Sequence, residues 1–391
     1  MKSIFVLVFS IIATLQSLAA IPEYVDTTAN EILMNGTEWS NLKNRLCNLN
    51  GDADNKFNIL LIGDSHIQAD FVTSVTRRLL QSIYGNGGRG CISALKLART
   101  NQPVDYKIYT ADDKWIPSRL LKRPWDVTVG VTGIAAKPEN SKQTIFITTK
   151  YPDDKFSNIT LLHSPDASYD KILINGNSYD AKIDENVYSS SFKLPEPTDS
   201  VAIDLSANSP FYGAVLSNDN PGLIFSAIGN NGACFSDYML IPQFSKQTSI
   251  FNPNLIILSM GTNEAFSNQA DNDIYMNIES LIQELREANP QAEFLLLTPM
   301  ECQKNRKHGE KELSPYFDIN KRVKEVRDII MKYGAENNIP VWDFYAVAGG
   351  DSVSNKWLED KYMNKDHIHL LKSGYEIQGK LLFEALVKAF E

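Results

Sequence analysis

The chain has 391 residues, enough for one large domain or two of ordinary size. Its composition is globular, with 43% hydrophobic and 22% charged residues. A formal net charge of -9 argues against broad binding to nucleic acid or to an anionic membrane surface.

Lys2 and the mostly apolar stretch 4–18 open the chain, and Ser17-Leu18-Ala19 and Leu18-Ala19-Ala20 offer small residues to a signal peptidase. Ser10, Thr14, Gln16 and Ser17 interrupt the stretch, which is short for a membrane span. Residues 1–20 are therefore expected to be a signal peptide. The mature protein is expected to be exported, periplasmic or secreted, with no stable membrane insertion after cleavage. The first cysteine, Cys47, comes too late for a lipoprotein anchor. Cys47, Cys91, Cys234 and Cys302 permit two bridges in three pairings, or none, and their wide spacing fits no zinc motif.

The apolar run 57–63 ends in Gly63 and reads as a buried strand. Ile67, Phe71, Val75 and Leu79 then recur every four residues, with Val72 and Ile83 beside them, and predict one helix. The Gly-rich run 85–90 follows this helix and lacks a Lys-Ser/Thr ending, so it reads as a turn and not as a phosphate loop. From 104 to 216 the texture changes. Short runs rich in Thr, Tyr, Val and Ile (106–109, 127–131, 144–149, 159–163, 171–174 and 201–205) alternate with turn residues such as Pro195-Glu196-Pro197. This segment reads as an all-β insert, a sandwich. Beyond Pro221, strands at 223–227, 255–260, 294–298 and 339–344 alternate with helical patterns. Those patterns are marked by Ile274, Ile278 and Leu281, by Val323, Val326 and Ile330, and by Ile377, Leu381 and Leu386. Alternation of this kind predicts an α/β fold: a three-layer parallel sheet flanked by helices, with functional groups at the carboxyl ends of the strands. The expected division is a signal peptide at 1–20, one α/β domain in two segments at 21–102 and 218–391, and an inserted β-sandwich at 103–217.

Three remote motifs carry chemistry. Gly63-Asp64-Ser65-His66 places a serine between a strand and a helix, where backbone amides favour developing negative charge. Ser65 is the expected nucleophile; a helix cap is the plainer role for a serine there. Asp64 is expected to fix the turn. Asp366-His367-Ile368-His369 supplies an acid and a base. A serine hydroxyl needs a base to take its proton, and the base needs a carboxylate on its other nitrogen. The Asp-x-x-His spacing selects Asp366 and His369, with His367 as the rival base and an Asp-His-x-His metal cluster as the other reading. Gly261-Thr262-Asn263-Glu264 supplies a side-chain amide. Ser65, Gly232 and Asn263 are the candidate donors to an oxyanion hole, each donor worth about 3 kcal/mol of barrier. His66 is expected to point away, with no catalytic role. No cofactor or metal is expected.

These pieces resemble the SGNH (GDSL-type) hydrolases. Gly-Asp-Ser corresponds to the family's serine block, Gly229-Asn230-Asn231-Gly232-Ala233 to its glycine block, Gly-Thr-Asn to its asparagine block and Asp-x-x-His to its histidine block. Glu264 stands where the family more often has Asp. The resemblance implies a flavodoxin-like hydrolase fold and carries the family's roles to Ser65, Gly232, Asn263, Asp366 and His369. It covers 58–90 and 222–391. Trp342-Asp343-Phe344-Tyr345, Gly349-Gly350, Trp357 and 366–375, together with the β insert, are similar to exported peptidoglycan O-acetylesterases, in which a carbohydrate-binding-module-like β domain interrupts the hydrolase.

The expected function is an exported serine esterase removing O-acetyl groups from a carbohydrate, peptidoglycan or another cell-surface or dietary glycan. Its partner is then the O-acetylated glycan. The alternatives are O-acetyl transfer to a glycan by the same triad, and a non-catalytic glycan-binding protein. Trp115, Trp125, Tyr151, Tyr169, Tyr179 and Tyr188 are candidates to stack on sugar rings or to fill the sandwich core.

Overall fold

The computed structural model describes residues 20–49, 55–111, 114–139, 143–165, 167, 171–205, 210–308 and 312–391. The expected signal peptide, except Ala20, and Tyr169 lie outside the described residues.

Seven strands form the main sheet: β1 (Ile32–Leu33), β2 (Lys56–Gly63), β3 (Asn86–Gly88), β4 (Gly222–Gly229), β5 (Leu255–Ser259), β6 (Glu293–Leu297) and β7 (Val341–Trp342). Their order is β1-β7-β6-β5-β2-β4-β3. All neighbours are parallel except the edge pair β1–β7. The central strands are nearly continuous apolar runs because both faces are covered. Ile59, Leu61, Ile257, Leu295 and Leu297 pack with α1 (Ser40–Cys47), α3 (Phe71–Tyr84) and α6 (Lys372–Phe390), through Leu42, Val72, Leu80, Ile377, Leu381 and Leu386. The alternate residues Leu60, Ile62, Ile256, Leu258 and Leu296 pack with α4 (Asp271–Ala288) and α5 (Arg322–Glu336), through Ile278, Leu281, Val323 and Val326. The expected three-layer α/β architecture is present.

The single helix expected after β2 is broken. A short α2 (Ser65–Gln68) precedes α3, and Asp70 between them takes a left-handed φ of 57°. The Gly-rich run is not only a turn. Asn86–Gly88 is the edge strand β3, and Gly90–Ile92 pairs with the strand Phe211–Ser217 of the additional β domain.

That domain is two antiparallel sheets enclosing a third core. Ile108, Ile145, Ile147 and Ile203 come from one sheet, and Ile159, Leu161, Phe211 and Leu216 from the other. The expected strand at 127–131 is an irregular segment. Its alternating Val127, Val129 and Val131 bury into the main-sheet core with Leu60 and Ile62 instead of joining a sheet. Pro195 and Pro197 lie inside the strand Ser189–Thr198, where pairing to Phe156–His163 shifts register between Lys193 and Thr198. Prolines are tolerated at such irregularities. A hairpin of Gln303–His308 and Glu312–Ile319, not expected from the sequence, follows β6.

All four cysteines are free. Among the described residues no helix is long and apolar enough to cross a membrane, and no cluster of His, Cys, Asp and Glu could hold a metal ion.

A buried ionic network joins the two units. Arg77 of α3 lies 2.9 Å from Asp70 and 2.6 Å from Asp105, and Arg89 lies 2.7 Å from Asp70 and 3.1 Å from Asp105. Burial alone would raise the Asp105 carboxyl, but Arg89 and Arg77 outweigh it and hold that group below its ordinary range. Its stabilisation is therefore present above the unfolded carboxylate range and lost as pH falls. Arg89→Met leaves buried carboxylates under-compensated and is expected to cost about 3–5 kcal/mol at neutral pH. Urea unfolding of the variant checks this, and the deficit should shrink on acidification.

Candidate active site

The site is built where three strands of the main sheet end. After β2, the Asp64 side chain accepts the His66 amide at 2.9 Å and caps α2. Ser65 is the first helical residue, so its N–H is among those a helix start leaves unpaired. The helix sits close because β4 ends in glycine: a Cβ on Gly229 would lie 2.3 Å from the Gln68 nitrogen.

The turn after β4 is pinned from several sides. The Asn230 N–H donates to the Gly63 carbonyl at 3.1 Å, and its side-chain amide donates to the Thr132 carbonyl and the Tyr238 hydroxyl, both at 3.1 Å. The Asn231 N–H donates to Gln68 Oε1 at 2.9 Å. Gly232 is exposed at φ 86°, and its N–H meets no acceptor among the described residues. After β5, Asn263 Nδ2 donates to the Ala233 carbonyl at 3.0 Å and approaches Asp64 Oδ2 at 3.3 Å. Asn263 therefore contacts the residue before Ser65 and the residue after Gly232, and so lies between the two turns that carry the other candidate donors. Glu264 ties the same turns together: Oε1 accepts the Phe235 N–H at 2.7 Å, while Oε2 is buried without a partner among the described residues. Burial pushes the carboxyls of Asp64 and Glu264 up to about 7 each.

The fourth piece is the loop ahead of α6, closed by a bridge between Met363 and Leu370. Asp366 Oδ1 accepts the N–H groups of Ile368 and His369, both at 2.9 Å. Its Oδ2 lies 2.8 Å from His369 Nδ1, and Ser65 Oγ lies 2.8 Å from His369 Nε2. Burial alone would raise the Asp366 carboxyl; the two amides and the imidazole outweigh it and hold it below its ordinary range. An ionised acceptor on Nδ1 leaves Nε2 free to take the serine proton.

His367, the rival base, faces elsewhere. It has φ 61°, its Nδ1 lies 2.7 Å from Gln303 Oε1, and its ring stacks on Phe317 with centroids 3.7 Å apart. The two histidines thus take different partners and do not form a shared ligand set. His66 does not point away from the site: its ring lies against that of His369, with centroids 5.0 Å apart. Three supporting residues escaped the sequence reading. Gln68 holds the glycine turn, Gln303 holds His367, and Tyr375 reaches His66 Nδ1 at 3.0 Å. Only Tyr375 fell inside a stretch singled out from sequence.

Of the candidate stacking residues, Trp115 is buried. The Trp125 indole donates to the Arg119 and Leu120 carbonyls, Tyr151 lies under Arg78, and Tyr179 packs on the sandwich core. Tyr188, at φ 56°, lines a 300 Å³ cavity between the β domain and residues 242–247.

Residues 199–377 match the GDSL-like lipase/acylhydrolase family. The matched stretch includes Gly232, Asn263, Asp366 and His369 and excludes Ser65. The likeness to GDSL-like hydrolases in the family comparison is thus carried by residues 199–377, under half of the chain. A solved structure described as "Peptidoglycan O-acetylesterase in action, 5 min" is 21% identical and superposes with a TM-score of 0.75, covering 94% of this chain and 98% of its own. That likeness extends over both the hydrolase fold and the additional β domain. A lipase/acylhydrolase from Enterococcus faecalis (21% identity, TM-score 0.31) covers 42% of this chain and 76% of its own. The acetyl xylan esterase AlAXEase (18% identity, TM-score 0.32) covers 42% and 81%. A comparison with curated proteins finds no match.

The geometry separates the two loop histidines. His369→Ala is expected to lower kcat on an aryl acetate by about 10⁴-fold or more, whereas His367→Ala, which removes only loop support, should lose no more than about 10-fold. Steady-state kinetics of both variants checks this.

Proposed function

We propose that the protein is an exported serine esterase that removes O-acetyl groups from a glycan, peptidoglycan foremost. The observation that carries this reading is the continuous relay Ser65 Oγ–His369 Nε2, His369 Nδ1–Asp366 Oδ2, each step 2.8 Å. Ser65 Oγ attacks the acetyl carbonyl carbon as its proton passes to His369 Nε2. Asp366 holds the ring and stabilises the imidazolium that forms. The carbonyl oxygen, now an anion, accepts from the N–H groups of Ser65 and Gly232 and from Asn263 Nδ2. Collapse breaks the bond to the sugar oxygen, which leaves with the proton from His369. Water, deprotonated by the same imidazole, then releases acetate and restores Ser65.

Asn263 Nδ2 has two hydrogens. The bond to Ala233 anchors the amide, and the long 3.3 Å approach to Asp64 is the one a developing oxyanion would replace. In this reading the leader at 1–20 directs export. The hydrolase is formed from 21–102 and 218–391, and the β domain at 103–217 helps to hold the glycan strand. The fold likeness to a peptidoglycan O-acetylesterase supports the substrate class.

Acetate release from purified O-acetylated peptidoglycan, compared with acetylated xylan and sialic acid, tests the proposal. Peptidoglycan is expected to be the best substrate, and Ser65→Ala should lower kcat by about 10⁴-fold or more. Equal turnover by the wild type and Ser65→Ala would remove the nucleophile. Acetyl groups recovered on an acceptor sugar instead of as free acetate would show transfer in place of hydrolysis.

A further inference from the structure

We propose that His66 is a positioning residue for the catalytic base: its ring covers one face of the His369 imidazole and, tied by Tyr375, sets the tilt at which that imidazole reaches Ser65 and Asp366. The inference rests on the triad reading above and deepens it.

The need for such a residue follows from the loop that carries His369. That side chain is 35% exposed and its partner Asp366 is 42% exposed. Hydrogen bonds at Nδ1 and Nε2 hold two ends of the ring, but they resist its tilt only weakly. A flat surface against one face resists tilt directly. The His66 ring is that surface, with centroids 5.0 Å apart and planes 33° apart.

His66 is itself held from the core. The Tyr375 hydroxyl lies 3.0 Å from His66 Nδ1, and the Tyr375 ring meets the His66 ring edge-on at 5.9 Å. Tyr375 in turn stacks on Phe71 at 6.1 Å. A run of rings, Phe71–Tyr375–His66–His369, therefore leads from α3 and α6 to the base. The contact with Tyr375 is the ring's one hydrogen bond among the described residues, because Nε2 has no partner. A 20 Å³ cavity lined by His66, Asp64 and Gln378 lies beside it, room for about one water. A phenylalanine would offer the same flat face with no polar edge for Tyr375 to fix.

The ring is also suited electrically. Burial, and secondarily the neighbouring His369, hold its pKa down at about 3, against the pull of Asp366. His66 stays neutral at working pH and adds no repulsion when His369 takes the serine proton. Its π face is also a favourable neighbour for the imidazolium.

Hydrolysis of an aryl acetate by the wild type, Ser65→Ala, His66→Ala, Tyr375→Phe and the double variant His66→Ala/Tyr375→Phe tests this, with thermal melts verifying that each is folded. His66→Ala should lower kcat by about 10–100-fold with KM within about twofold of wild type, the signature of misaligned groups and not of lost binding. Tyr375→Phe should lose less. The double variant should be no slower than His66→Ala, because Tyr375 acts through the ring already removed. His66→Phe covers the case in which the alanine variant does not fold; it should match Tyr375→Phe and be insensitive to adding that substitution. An inactive Ser65→Ala beside a His66→Ala enzyme with wild-type kcat would overturn the inference alone. So would fully additive losses in the double variant. Wild-type activity in Ser65→Ala would instead remove the triad, and the inference with it.

Discussion

The strand register of the main sheet is the constraint on which the site depends. β2 pairs in parallel with β4 and β5 so that Gly63 stands level with Gly229 on one side and Ser259 on the other. Three strands therefore end on one line, and the turns bearing Ser65, Gly232 and Asn263 leave the sheet at the same height. Parallel pairing fixes this because each strand is buried on both faces. A slip of one residue would send Leu60 and Ile62 to the face that Ile59 and Leu61 fill, mismatching two cores at once. The Gly63 carbonyl adds a local lock by accepting from both the Asn230 N–H and the Tyr238 hydroxyl.

The β domain is bound into this arrangement and does not hang from it. Thr132, in the segment leading to the strand Ile134–Pro138, accepts from the Asn230 amide, so the glycine turn is held partly by the inserted unit. Asp70 shares Arg77 and Arg89 with Asp105, next to the first strand of that unit, Tyr106–Thr110. Asp70 also stands between α2 and α3, so the break that ends the short helix bearing Ser65 adjoins the same ionic cluster. Buried charges of this kind contribute little net stability, although removing one partner is costly.

The sequence made the layered fold and the meeting of the motifs legible for a simple reason: burial on both faces writes continuous apolar runs, and each chemical motif follows one. The failures have physical causes too. Val127, Val129 and Val131 alternate like a strand but lie in a loop packed on the hydrolase core, since periodicity reports burial and not hydrogen bonding. The helix break at Asp70 was hidden because the apolar spacing continues through it, while Arg89, which pairs with Asp70 there, lies in a segment read as a turn. Gln68, Gln303 and the part played by His66 were illegible because polar side chains that hold a site carry no spacing signal. Their partners Asn231, His367 and His369 are distant in the chain.

The two sides of the site solve opposite electrical problems. The proposed base, His369, needs a negative partner at Nδ1, and Asp366 remains one because two backbone amides and the imidazole hold its carboxyl below its ordinary range. The proposed oxyanion side needs the reverse, since a fixed anion beside it would oppose the charge that forms on the substrate. Yet two acidic residues stand there: Asp64, 3.3 Å from the Asn263 amide, and Glu264, next to it in the chain. Deep burial pushes both up to about 7, so each carries less charge at neutral pH than a surface carboxylate would. They serve as hydrogen-bond acceptors that shape the His66 and Phe235 turns at a reduced electrostatic penalty to the oxyanion. The same residue type thus supports both halves of the proposed reaction, and depth of burial decides which half it serves.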